Sequence, residues 1–223
     1  MSLALLVDAT SVFAFQQYLK EHDYPVQGNI NYGSLLTALG QYFAPDQRAG
    51  SGPGRGDRCG FDPMLAFVAI NPEHEGQQKF CAYLRGQGFT VDETDFRDAF
   101  VFPKREFQYQ RLSTRLTYVA GMLTAPYDKA GKPREIAHLV IVTDAFDTYY
   151  PLLDYVQNRK GQVTIAFFRT GMEDRWQRAG LFDDDSPIKF FDLSDNAKAI
   201  VGADLASSLG AKEGGKGLAN FRI

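Results

Sequence analysis

Leu3-Ala4-Leu5-Leu6-Val7 runs without a polar interruption into Asp8, and Leu139-Val140-Ile141-Val142-Thr143 runs likewise into Asp144, with Asp147 close behind. Continuous aliphatic runs, as opposed to strict apolar/polar alternation, are what a parallel strand covered on both faces requires. In such sheets ligands gather at the carboxyl ends of the strands. The pattern therefore predicts an α/β fold, a three-layer α/β/α arrangement around a mainly parallel sheet, and it puts acids where such folds do chemistry.

The rest of the chain fits that frame. Apolar residues recur at helical spacing through Val12, Phe13, Phe15, Tyr18 and Leu19, then through Leu35, Leu36, Leu39, Tyr42 and Phe43, which predicts two helices after the first strand, with Asn31 and Ser34 as caps for the second. Met64 to Ile70 reads as a buried strand ending at Asn71, and Phe80, Tyr83 and Leu84 mark a helix closed by Gly86 and Gly88. A strand starts at Phe89-Thr90-Val91, and a helix over Phe107 to Leu123 sets Leu112, Leu116, Val119 and Leu123 against a face with Arg111 and Arg115. After the strand ending at Asp144, Leu152, Leu153 and Val156 suggest a helix, Val163 to Phe168 a strand, and Ile188 to Phe191 a short last one. Strands alternating with helices at this spacing build a parallel sheet.

Two segments break the pattern. Ala44 to Pro63 is rich in Gly, Pro and Arg and reads as a mobile surface loop without apolar surface to bury; its glycines match neither a phosphate loop nor a dinucleotide fingerprint. From Gly202 the chain is Gly-rich, so one domain over residues 1–201 followed by a flexible tail over 202–223 is expected. A chain of 223 residues is enough for one α/β core without disulfides. Cys59 and Cys81 lack ligand spacing and read as reduced thiols. A net charge of -3 excludes a generally basic surface, so nucleic acid would need a local basic patch. No leader and no membrane-length apolar stretch is visible, so a cytoplasmic protein is expected.

Right-handed crossovers bring Asp8, Asn71, Asp144 and Asp147 to one rim. Carboxylates converging there repel unless a divalent cation or partial protonation intervenes, and oxygen-only ligands favour Mg²⁺ or Mn²⁺. A lone Asp at a strand end has a simpler role, capping the next helix. His22, His74 and His138 show no ligand spacing and receive no catalytic role.

At this point the chain resembles a family. Leu-Leu-Val-Asp8-Ala-Thr-Ser11, then Leu84-Arg-Gly-Gln-Gly88-Phe-Thr-Val91, then Val142-Thr143-Asp144-Ala-Phe-Asp147-Thr-Tyr-Tyr-Pro151-Leu-Leu153, then Gly161-Gln-Val163-Thr-Ile165 look like the blocks of the NYN domain in the PIN-like nuclease superfamily, over about residues 3 to 168. The resemblance implies a parallel α/β/α sheet, an acidic pocket for Mg²⁺ or Mn²⁺, and action on RNA. It makes Asp8, Asp144 and Asp147 the catalytic and metal-binding acids, with Ser11, Asn71 and Thr143 behind them. Lys104, Arg105, Arg111 and Arg115, around the start of the helix beside the pocket, are the cations that could meet an RNA backbone. The chain departs from the pattern in three places: Ser11 stands where the family has Asn, the middle acid would fall near Ser113 or Thr114, and the last two acids are spaced three apart instead of two. A metal-dependent ribonuclease with a degenerate acidic site is the reading; the alternative is an inactive RNA- or protein-binding module, including one that pairs with a partner protein or with itself.

Two other classes share parts of the pattern. A haloacid-dehalogenase-type phosphatase also opens on a strand and a nucleophilic Asp, but Thr10 stands at its second Asp and no glycine precedes Asp144. A von Willebrand A-type module pairs a hydroxyl-bearing Asp turn with a later Thr-Asp, here Thr143-Asp144, but has Val12 in place of its second hydroxyl.

Overall fold

The computed structural model describes residues 3–45, 60–95, 105–125, 127, 130–132, 138–144, 161–169 and 188–205, excepting the side chains of 105–111 and 113. The apolar runs form strands β1 (Leu3–Asp8), β2 (Met64–Ile70), β3 (Thr90–Asp95), β4 (His138–Val142), β5 (Val163–Phe167) and β6 (Lys189–Asp192). They make a six-stranded sheet in the order β3-β2-β1-β4-β5-β6, and every pairing is parallel. The central strands are sealed on both faces: Ala4 to Val7, Leu139 to Val142, Ile165 and Ala166 are all at 0 % exposure. That is the physical reason these runs carry no alternation.

Helix α1 (Ala9–Glu21) leaves β1 and packs Phe15 against the end of β5, stacked on Phe168 at 4.6 Å and edge-on to Phe167 at 5.5 Å. Helix α2 (Tyr32–Phe43) is capped by Asn31, whose side chain accepts the Ser34 amide at 3.0 Å. Its first residue, Tyr32, lies among Phe80, Tyr83 and Phe89, near the start of β3, whereas Tyr42 and Phe43 meet Phe191 of β6 and Phe43 also meets His138 at the foot of β4. A helix touching both margins of the sheet lies across the strands instead of antiparallel to them. Helices α3 (Glu75–Gly86) and α4 (Arg105–Leu123) join β2 to β3 and lead from β3 toward β4. In α4, Leu112 and Leu116 are buried as their spacing predicts.

Two expectations need correction. The Gly/Pro-rich stretch over 44–63 is not without core residues: Phe61 is 1 % exposed, the Asp62 amide donates to the Leu3 carbonyl at 2.8 Å, and the Leu5 amide donates to the Pro63 carbonyl at 2.9 Å. Its last residues are therefore stitched to β1, while residues 46–59 lie outside the described set. Nor does the packed chain stop at 201. A 3-10 turn (Ser194–Asn196) and the short helix α5 (Ala197–Ile200) lead into Gly202, Ala203 and Leu205, and Ala203 and Leu205 are 0 % and 3 % exposed. Ala203 bridges Val26, and the Gln27 amide donates to the Gly202 carbonyl at 2.9 Å. Gly202 has φ +75, and a Cβ there would stand 1.9 Å from the Gln27 carbonyl oxygen, so no larger residue fits. The helix expected around Leu152 and Val156 falls outside the described residues.

Candidate functional site

Asp8 is at once the last residue of β1 and the N-cap of α1. Its Oδ1 accepts the amides of Thr10 and Ser11, each at 3.1 Å, and its Oδ2 accepts the Ser11 hydroxyl at 2.8 Å. This is what an Asp at the start of a helix does with otherwise unpaired amides. The neighbouring strand adds the second half of the site. The register pairs Val7 with Val142, so Thr143 and Asp144 follow at the height of Asp8, one strand away. Thr143 Oγ1 lies 3.5 Å from Asp8 Oδ2 and 3.4 Å from Ser11 Oγ. Asp8 and Asp144 are each 1 % exposed, and Ser11 and Thr143 are fully buried.

Two carboxylates so placed cannot both be charged cheaply. The Asp8 carboxyl is pushed up from 3.8 to about 6, first by burial and then by the charge of Asp144, with the hydrogen bonds from Ser11 and Thr10 pulling it part of the way back. The site also sits where topology puts ligands. The chain leaves β1 toward β2 and leaves β4 toward β5, in opposite directions across the sheet. Between their carboxyl ends lies the switch point of an open parallel sheet.

Other residues singled out in the sequence fall elsewhere. Asn71 is exposed and forms its own turn, accepting the Glu73 amide at 3.0 Å. It stands four residues past Phe67, the partner of Asp8, roughly 13 Å farther along the sheet; it does not support the acidic pair. Arg115 donates to both oxygens of Asp92 on the edge strand β3, at 3.3 and 2.6 Å, and so is engaged two strands away from Asp8. Arg105 and Arg111 belong to α4, with side chains outside the described set; Lys104 and Asp147 lie outside it altogether. Ser113 is likewise undescribed in its side chain, and Thr114 is exposed on α4.

One residue at this rim was passed over. Arg169 follows the apolar run of β5 as Asp8 follows that of β1, and it is exposed. The strand-end rule that found the acids applies equally to it.

Among the described residues, the side-chain donors around the acidic pair are oxygens: two carboxylates and the hydroxyls of Ser11 and Thr143. Among the described residues no three His, Cys, Asp or Glu side chains gather as a metal-binding group. The donor set nevertheless suits a hard divalent cation that retains several waters, held by one or two carboxylates. Asp8 Oδ2 takes both the shortest contact of the cluster, 2.8 Å from the Ser11 hydroxyl, and the longest, 3.5 Å from Thr143.

The strand order and burial define an α/β protein with a buried acidic pair at its switch point. No family model matches the chain, and no curated protein matches it. The fold search finds a crystal structure of a protein of unknown function from Vibrio parahaemolyticus, 17 % identical, with a TM-score of 0.49 over 86 % of this chain and 93 % of that one. A similarity that distant carries no argument about either the fold or the activity.

Proposed function

We propose that the protein is a PIN-like domain of the NYN type that acts on RNA through a divalent cation held by Asp8 and Asp144, with Asp147 as the third acid that the resemblance assigns. The observation that supports this is the acidic pair itself, buried side by side at the switch point and costly to ionise without a counter-charge. When bound, Mg²⁺ or Mn²⁺ would activate a water and draw charge from the phosphoryl oxygens. The chain's own part is to hold the carboxylates: Thr10 and Ser11 fix one oxygen of Asp8 through their amides, and the hydroxyls of Ser11 and Thr143 crowd the other.

A second reading, binding without cleavage, draws on the same details. Asp8 is already satisfied as a helix cap, and only two acids meet among the described residues. Two carboxylates hold Mg²⁺ less firmly than a full acidic set, so weak turnover on generic RNA is expected. The experiment is incubation of labelled single-stranded and structured RNA with Mn²⁺, beside Asp8→Asn and Asp144→Asn. Slow cleavage lost in both variants supports the nuclease; cleavage that survives both overturns it. RNA binding without cleavage in any of the three supports the binding module.

A further inference from the structure

We propose that Tyr32 is a positioning residue for the acidic pair, its hydroxyl steadying the peptide whose amide holds Asp8, a role that rests on the metal-binding reading above. The Tyr32 hydroxyl donates to the Ala9 carbonyl at 3.4 Å, and the Thr10 amide donates to Asp8 Oδ1 at 3.1 Å. The carbonyl of one residue and the amide of the next belong to a single planar group. Tyr32 therefore holds one end of the peptide whose other end holds the carboxylate.

The phenol itself is fixed in place. Tyr32 opens α2 and is 0 % exposed, with its ring centroid 5.7 Å from that of Phe80, 6.3 Å from Tyr83 and 6.2 Å from Phe89. Its amide donates to the Tyr83 hydroxyl at 3.2 Å, and the amide before it, of Asn31, donates to the Ile200 carbonyl at 2.7 Å. Burial, and then the charge of Asp8, hold the phenol in its protonated form, so it serves as a donor and not as an acid or base. A phenylalanine would fill the same surroundings with no hydroxyl to satisfy, so packing alone does not account for the group.

The chemistry lies in the peptide between the two residues. Donation to its oxygen makes its N–H a stronger donor, as in other chains of hydrogen bonds in a low-dielectric interior, and fixes the tilt of its plane. With Oδ1 held to the start of α1, Oδ2 meets the hydroxyls of Ser11 and Thr143, where β4 ends and Asp144 follows. A cation of the Mg²⁺ type demands near-ideal geometry from its carboxylates, and groups standing behind a ligand orient it and raise affinity. Tyr32 is such a group, one peptide removed from Asp8.

The test uses the full chain as wild type, Tyr32→Phe and Tyr83→Phe, the last removing a hydroxyl from the same aromatic cluster without touching Ala9. The Thr10 amide proton is followed by NMR in a chelator, and Mn²⁺ affinity is measured separately by calorimetry. Tyr32→Phe should move the Thr10 resonance upfield and weaken Mn²⁺ binding by about threefold, and Tyr83→Phe should move both less. A Thr10 resonance that stays put in Tyr32→Phe would overturn the link through the peptide. Equal shifts in the two variants would do the same, assigning the effect to packing of the cluster. Wild-type Mn²⁺ affinity in Tyr32→Phe would overturn the positioning role while leaving the acidic centre standing, whereas a wild type that does not bind Mn²⁺ would overturn the metal-binding reading and this role with it.

Discussion

Asp8 carries two demands that pull against each other. As a helix cap it is best charged, since three hydrogen bonds converge on its oxygens; as a buried neighbour of Asp144 it is best neutral. Its carboxyl rises from 3.8 to about 6, so burial and the Asp144 charge outweigh the hydrogen bonds without keeping the group neutral at pH 7. A carboxyl raised on folding contributes its full stabilisation below its unfolded pKa and loses it as pH climbs through the folded one. Between about pH 4 and pH 6 the metal-free protein should therefore lose stability through this residue, by up to about 3 kcal/mol. Asp8→Asn keeps the oxygen that accepts the Thr10 and Ser11 amides and removes the charge. Urea unfolding in a chelator at several pH values should show the variant gaining on the wild type across that interval and holding a constant lead above it. A difference independent of pH would mean that Asp8 stays charged throughout.

At the level of elements, sequence patterns revealed what burial dictates and missed what direction and level dictate. Strands β1, β2, β4 and β5 were legible because both faces are covered, which forces uninterrupted apolar runs. The acidic pair was legible for the same reason, since each acid ends such a run. Asn71 misled because β2 continues past the height at which β1 stops, and periodicity says nothing about where neighbouring strands end. The course of α2 was equally hidden: spacing gives its buried stripe, not the angle at which the stripe crosses the sheet. Phe61 was masked by its Gly and Pro neighbours, although a single large side chain suffices to anchor a segment. Gly202 looked like the start of a loose tail, yet it lies so close to the α1–α2 connection that a Cβ on it would meet the Gln27 carbonyl. Gly202→Ala should lower the melting temperature strongly, because the methyl group collides with backbone and the positive φ disfavours any side chain. Gly131→Ala, also at positive φ but with nothing near its Cβ position, is the comparison that isolates the collision. Equal shifts in the two variants would mean that the close approach is relieved at no cost.

For the molecule as a whole, the sheet places the chain's late segment beside its early one. Ile200 accepts the Asn31 amide at 2.7 Å, the Gln16 side chain donates to the Val201 carbonyl at 3.0 Å, and Gly202 and Ala203 meet Gln27 and Val26. The segment after α5 thus ties down the connection from α1 to α2, and α1 begins at Asp8. Chains ended after Leu205 and after Val201 differ by the residues that complete this tie. The shorter one loses the hydrogen bond between Gln27 and Gly202, the bridge to Val26 and the buried Leu205 side chain, worth together about 2–4 kcal/mol. Chemical denaturation of the two should show that difference as a lower midpoint for the shorter chain. The slope of the transition should stay nearly unchanged, since little of the total surface is removed. Because the loss acts on the α1–α2 connection and not on β1, Asp8 should still titrate near its raised value in the shorter chain. If that titration returns to the ordinary carboxylate range, the acidic pair depends on the closure of the whole fold and not only on the β1–β4 register.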